Sequence, residues 1–171
     1  MAEVSAVFSN NINRPLTDFN ILSKDDKKFP CHRVILASQS PVILAMMTNN
    51  WKERQENQIT LQESDEVVEH FVEYFYTRKV PRKVLESNLA SFFELSGQYD
   101  LTPLKLLTEE TAIGMFSVEN MVDLYILGNL HSADLKSEAE TFIRRNKKEL
   151  KKMDLSGFPH SVVTDLLRLL I

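Results

Sequence analysis

β-strand patterns are confined to the first 61 residues of this 171-residue sequence, which limits the size of any sheet more than any other feature. Phe19–Leu22 and Phe29–His32 are strand-like and are separated by the polar turn 23–27, which predicts a hairpin. Gln58–Leu61 predicts a third strand. From residue 62 onward the apolar residues recur with a helical period, first at Val67, Val68, Phe71, Val72 and Phe75. We therefore expect an α+β fold that is mostly helical, with one small sheet.

Start and stop signals divide the rest of the chain into short helices. Ser40 followed by Pro41 is a start signal, because serine caps a helix and proline fits its first turn. The short link His131–Ser132 predicts two helices that pack antiparallel, and Ser117 is the expected cap of the first. The other predicted helices contain residues 34–39, 41–47, 67–75 and 89–99, and further ones follow Thr102–Pro103 and Phe158–Pro159.

Counts of residue types exclude several classes of function. Cys31 is the only cysteine, so the chain can form neither an internal disulfide nor a zinc site of several thiolates, and a reducing, intracellular compartment is expected. The four glycines are too far apart for either phosphate-binding glycine loop. A formal net charge of −4 does not attract nucleic acid, and no apolar stretch is long enough to cross a membrane. We expect no cofactor and no metal, and partners that are proteins.

Three local features are candidates for a site. Cys31 and His32 bring a thiol and an imidazole together in sequence, but neighbouring residues of a strand point to opposite faces, which disfavours a thiol enzyme. The basic run 144–152 is interpreted as a solvated helix end. Trp51 lies in a polar stretch with no apolar period around it. It is either an interface anchor or a residue that folds back onto the core, and the sequence leaves both open.

Two blocks of sequence carry a resemblance to a known family. Thr17–Phe19 and Phe29–Val42 closely resemble the start of a BTB/POZ domain, whose pattern is Asp, a strand, and then His-basic-x-x-Leu-Ala-x-x-Ser. Phe75–Thr77 fits a later helix of that family. Leu127–Lys136 is similar to the 3-box, the helical hairpin that follows the BTB domain in speckle-type POZ proteins. The resemblance implies three regions: an N-terminal dimerisation segment (1–16), a BTB/POZ domain (17–116) and a 3-box or BACK-like helical extension (117–171).

The resemblance implies a non-catalytic interaction module that forms homodimers and can pair with other BTB proteins. The apolar residues near the N-terminus would then find their partner surface on a second subunit. A charged pair near the interface completes the expected contact, and removing one member of such a pair is costly. The expected dimer residues are Val4, Val7, Phe8, Ile12, Asp18 and Arg33.

The resemblance also implies an adaptor that binds the N-terminal domain of cullin-3 in a RING-type ubiquitin ligase, in the nucleus or cytoplasm. Trp51-Lys52-Glu53 stands where such BTB domains have a hydrophobic-x-Glu motif, which places an apolar anchor beside a carboxylate. The expected cullin-binding residues are Met47, Asn50, Trp51, Glu53 and His131. An alternative, known for other BTB proteins, is a dimeric scaffold that recruits transcriptional corepressors, although no DNA-binding segment supports it.

Two departures from the family pattern carry expectations of their own. Many members have Tyr-Thr-Gly where this chain has Tyr76-Thr77-Arg78, so the turn is expected to be built differently or to keep a negative φ at Arg78. Speckle-type proteins carry a MATH domain that selects substrates, and the segment before Thr17 is too short to contain one. Substrate selection is therefore expected to come from a partner or from sequence outside this chain.

Overall fold

Three short strands form a sheet in the computed structural model, which describes residues 14–49 and 55–170. β1 (Phe19–Leu22) pairs antiparallel with β2 (Lys28–Cys31), which confirms the predicted hairpin. β3 (Gln58–Thr60) pairs parallel to the other side of β1, so the strand order is β2-β1-β3. Pro30 consequently lies in an edge strand, where the N–H that proline lacks is not needed by a further strand.

Two short helices follow β2, and the serine between them joins them to the rest of the domain. These are α1 (Arg33–Ala37) and α2 (Pro41–Thr48). Ser40 Oγ accepts a hydrogen bond from the Ile43 N–H at 3.0 Å, which confirms the predicted cap. The same hydroxyl donates to the Tyr99 carbonyl at 2.6 Å, so one buried side chain both starts α2 and fixes its position.

The apolar stripe predicted after residue 62 lies on α3 (Asp65–Thr77), whose inward face is fully buried. The Phe71 ring lies 5.2 Å from the Phe75 ring and 5.7 Å from the Tyr99 ring, centroid to centroid, and these aromatic contacts form the centre of the core. The helices that follow are α4 (Arg82–Ser87), α5 (Leu89–Gln98) and α6 (Thr102–Ile113).

α3 ends in a turn that differs from expectation. Of the two expected alternatives, a turn built differently or a negative φ at Arg78, the negative φ is wrong, because Arg78 has φ 58° and ψ 24°. Its N–H donates to the Tyr74 carbonyl at 2.8 Å and closes the last turn of the helix. An arginine therefore occupies a left-handed conformation that glycine adopts at lower cost.

The residues from Leu107 onward belong to a second compact unit, separate from the unit that ends at Leu106. Its helices after α6 are α7 (Met121–His131), α8 (Ala133–Arg145), α9 (Lys147–Leu150) and α10 (His160–Leu169). They share one apolar core, made of Met121, Val122, Tyr125, Ala139, Ile143, Leu150, Val162, Leu166 and Leu169. As expected, the described residues after 62 include no strand.

α7 begins later than the sequence suggested. Ser117 does not cap it, because residues 118–120 form a turn before the helix and Asn120 is the N-cap residue. The Asn120 side chain instead holds that turn: its Oδ1 accepts from the Ser117 N–H at 2.8 Å, and its Nδ2 donates to the Met115 carbonyl at 2.7 Å. The prediction of a Ser117 cap is therefore wrong.

The fold class agrees with the sequence. Helices dominate both units, and the sheet has three strands in the part of the chain that the structure describes. The α+β, mostly helical class is thus confirmed. None of the described helices is both long enough and apolar enough to cross a bilayer.

Candidate functional site

The residues predicted to bind cullin-3 lie in two parts of the chain. Met47 is in the last turn of α2, and His131 is the last residue of α7. Asn50, Trp51 and Glu53 lie outside the described residues, which stop at 49 and resume at 55. What the structure does describe is the helix that leads into them.

α2 carries apolar side chains on nearly all of its faces, so it cannot bury all of them against one core. Ile43 and Met47 point inward, and Met47 is only 9% exposed. Leu44, by contrast, is 47% exposed. Met47 therefore contributes mainly to packing, and Leu44 is the large apolar side chain of α2 that a partner can reach. The uninterrupted apolar run 42–47 was the sequence signal for such a residue.

α7 and α8 form a tight helical hairpin that depends on one glycine. A Cβ added to Gly128 would lie 2.5 Å from the backbone nitrogen of Lys136, closer than any ordinary contact, so only glycine fits there. Between the helices, Ser132 Oγ accepts from the Leu135 N–H at 3.1 Å and caps α8. All of these residues belong to the block that resembles the 3-box.

The end of α7 presents an apolar side chain that the sequence did not single out. Leu130 is 68% exposed, and the neighbouring His131 is partly exposed. Next to the hairpin core, the Lys136 ammonium lies 5.8 Å from the centroid of the Tyr125 ring. The end of the hairpin thus offers a leucine and an imidazole to a partner.

The predicted dimer residues include a pair whose contact differs in kind from the expected one. The Asp18 carboxylate accepts a hydrogen bond from the backbone N–H of Arg33 at 2.9 Å, and Arg33 Nε donates to the Asp18 backbone carbonyl at 3.4 Å. The guanidinium also contacts the Asn57 side chain. Because Arg33 is the first residue of α1, the carboxylate satisfies an N–H that the helix leaves free. The remaining predicted dimer residues precede the described chain: Val4, Val7, Phe8 and Ile12.

A cluster of polar contacts fixes the place where the N-terminal segment joins the first unit. The buried Arg14 guanidinium lies 4.3 Å from the centroid of the Tyr76 ring and donates to the Pro30 carbonyl at 3.2 Å. His32 Nε2 bonds the Pro15 carbonyl at 2.8 Å, and His32 Nδ1 bonds the Tyr76 hydroxyl at 2.9 Å. Since a carbonyl only accepts, Nε2 carries a proton, and in the neutral imidazole Nδ1 accepts from the tyrosine.

Two large apolar side chains near this junction in sequence are left in contact with solvent. Leu16 follows Pro15, adopts φ 62° and is 93% exposed. Val34, the second residue of α1, is also exposed. Neither was predicted, because a single apolar residue in a loop or a five-residue helix gives no periodic signal. Exposed apolar residues mark a protein interface when they form part of one contiguous patch.

Cys31 is unsuited to nucleophilic catalysis. Its side chain is fully buried, its Sγ lies 3.6 Å from the Phe19 carbonyl oxygen, and burial raises the pKa of the thiol to about 12. The reactive thiolate is therefore scarce at neutral pH. Among the described residues, no three His, Cys, Asp or Glu side chains are grouped so that they could hold a metal ion.

The comparison with known families favours a site that is a protein-interaction surface over one that is a catalytic pocket. A model of the BTB/POZ domain matches residues 9–114, which is more than half of the chain and includes the sheet and α1 to α6. The chain belongs to the BTB/POZ family. BTB domains are protein-interaction modules, generally without enzymatic activity, and they typically dimerise and bind partner proteins. The family assignment confirms the resemblance carried by residues 17–42.

Proposed function

We propose that this BTB protein is a dimeric, non-catalytic adaptor that binds the N-terminal domain of cullin-3 in a ubiquitin ligase of the nucleus or cytoplasm. The observation that carries the proposal is the outward face of α2. Its exposed Leu44 lies one turn before the end of the helix at Thr48, and the Trp51-Lys52-Glu53 pattern begins three residues after that end in sequence. Leu44 and Trp51 together would supply the apolar anchors, and Glu53 a carboxylate beside them.

The α7–α8 hairpin supports the second half of the proposed cullin contact. We assign the extension 117–171 as the 3-box-like region, since the block 127–136 forms the tight crossing at Gly128 and the cap at Ser132. Leu130 and His131, at the end of α7, are accessible to a partner. With this assignment, the proposal would group the chain with the speckle-type POZ proteins.

Dimerisation is the other part of the proposal. The segment 1–16 would cover a second copy of the chain, and the exposed Leu16 and Val34 are apolar surface that such a contact would remove from water. The Arg14 contacts with Tyr76 and Pro30 would fix the direction in which the segment leaves the domain. The same surface would serve for pairing with other BTB proteins.

The test is a calorimetric titration of the chain with the cullin-3 N-terminal domain. Trp51→Ala is expected to weaken binding by ~30-fold or more, because truncating a buried interface tryptophan costs ~2–4 kcal/mol. Leu44→Ala is expected to weaken it by ~5-fold, since less area is lost. Leu167→Ala removes an equally exposed leucine from α10 and is the matched control, with unchanged affinity.

Unchanged affinity in both Trp51→Ala and Leu44→Ala would show that α2 and the segment after it do not hold the anchor. Absence of any binding by the unmodified chain would reject the adaptor function. The chain would then be better described by the alternative in which a BTB dimer recruits corepressors.

A further inference from the structure

Four positive charges lie close together on one short turn of the first unit. Arg78, Lys79, Arg82 and Lys83 are all exposed, and only two residues separate the first pair from the second. The chain as a whole has a formal net charge of −4, so this cluster of positive charges is opposite in sign to the net charge of the chain. We call residues 78–83 the basic turn.

Arg78 occupies its position in the basic turn at a conformational cost. It has φ 58° and lies at the C-cap of α3, where glycine would be less strained. Its guanidinium lies 5.7 Å from the centroid of the Tyr74 ring, a separation at which an exposed cation gains little. Packing therefore does not explain why an arginine stands there.

Arg82 and Lys83 also stand where helix energetics disfavour them. They are the first two residues of α4, next to its positive N-terminal end, and the N-cap residue Pro81 provides no side-chain cap. Arg82 pairs with Glu86 at 2.7 Å. Within residues 14–49 and 55–170, no carboxylate lies within 4.0 Å of Arg78, Lys79 or Lys83.

The second basic run of the chain provides a contrast. Arg144 and Arg145 lie in the last turn of α8, where cations stabilise the helix, and Lys152 pairs with Glu149 at 3.0 Å. Helix energetics and ion pairing therefore account for Arg144, Arg145 and Lys152 in that run. In the basic turn, the left-handed backbone disfavours Arg78, and the helix N-terminus disfavours Arg82 and Lys83. Several neighbouring residues that all break local preferences are expected where a surface has a function.

We propose that the basic turn is a docking surface for an acidic segment of a partner protein, one with several Asp or Glu residues in succession. Such a segment would pair with the cations that have no ion-pair partner within the described chain. The turn suits nucleic acid less well, because four cations span few phosphates and Tyr74 is too buried to stack on a base. It suits a membrane less well because Val80, its one large apolar residue, is buried.

The experiment measures binding of a fluorescein-labelled polyglutamate peptide to the full chain by fluorescence anisotropy, at low and at physiological salt. The turn variant carries Arg78→Gly, Lys79→Gln, Arg82→Gln and Lys83→Gln. The control variant removes the same number of charges from the other basic run, with Arg144→Gln, Arg145→Gln, Lys148→Gln and Lys151→Gln. Circular dichroism of both variants checks that they are folded.

The turn variant is expected to bind the peptide ~10-fold more weakly, and the control variant to bind within ~2-fold of the unmodified chain. Binding should weaken as salt increases. Equal losses of affinity in the two variants would mean that only net charge matters. If the unmodified chain did not bind the peptide, the basic turn would not be a docking surface for acidic segments. Either result overturns the proposal. Tighter binding of oligothymidylate or of phosphatidylserine vesicles to the turn would overturn it in favour of those ligands. No cullin takes part, so the result is independent of the adaptor function.

Discussion

The α7–α8 crossing and the turn after α3 use backbone space in opposite ways. At the crossing, Gly128 stands where the backbone of Lys136 leaves no room for a Cβ. At the turn, Arg78 stands where glycine would fit with less strain. Packing permits only glycine at the buried position 128, whereas packing does not restrict the residue type at the exposed position 78. A local preference is therefore kept at Gly128, where breaking it would disrupt a core, and is abandoned at Arg78, where an exposed charge is retained.

The largest effect is expected at the crossing. Gly128→Ala places a methyl group 2.5 Å from the Lys136 nitrogen, and α7 and α8 must separate to accept it. We expect the free energy of unfolding to fall by about 2 kcal/mol, measured by urea denaturation. Gly97→Ala in α5 is the matched control, because nothing lies within 4 Å of that Cβ, and it should raise stability by up to ~1 kcal/mol. Equal stability of the two variants would contradict the close crossing.

Cys31 extends the comparison to a second buried position, which lies in the first unit. There, burial is expected to resist ionisation of the thiol. Burial raises the pKa of its thiol from 9.0 to about 12, so above pH 9 the unfolded chain ionises while the folded chain does not. The stabilisation is fully present below pH 9 and is lost as the pH rises from 9 towards 12.

Urea denaturation of the unmodified chain and of Cys31→Ala, from about pH 8 to about pH 11, isolates this contribution. The unmodified chain should lose stability more steeply with pH than the variant. Parallel pH profiles would mean that the thiol is ionised as easily in the folded chain as in the unfolded one.

The smallest effect is expected at the exposed turn, and it has the opposite sign. Arg78→Gly relieves the left-handed strain but makes the unfolded chain more flexible, so a net gain of about 0.5 kcal/mol is expected. Asp100→Gly, at φ 51°, is the control, because aspartate tolerates this conformation and the gain should be smaller. A loss of stability in Arg78→Gly would show that the arginine supports the fold, and the comparison with Gly128 would fail.

The sequence predicted the elements that local patterns determine. The hairpin of β1 and β2, the Ser40 cap and the stripe on α3 each follow from signals within about ten residues, and all are present. The predicted start of α7 at Ser117 was wrong because serine is common in turns as well as at helix starts. The position of Asn120, whose side chain holds the turn before the helix, determines where α7 begins.

The site was less predictable, because exposure depends on contacts between distant residues. Met47 and Leu44 lie one turn apart in the same apolar run, and only packing against the rest of the domain buries one and exposes the other. The contact between Asp18 and Arg33 was expected from a resemblance, but its form, a carboxylate on a backbone N–H, follows from where α1 begins. The left-handed conformation of Arg78 was signalled only by the glycine that many family members have at this position, because arginine itself rarely adopts it.

The proposed function has two parts, dimerisation of this BTB chain and binding of cullin-3, and one measurement tests both. Light scattering during gel filtration of the chain mixed with the cullin-3 N-terminal domain gives the mass of whatever complex forms. We expect a single species that contains two copies of the chain and two copies of the cullin domain. Separate elution of the two proteins, with the chain at the mass of a monomer, would contradict it.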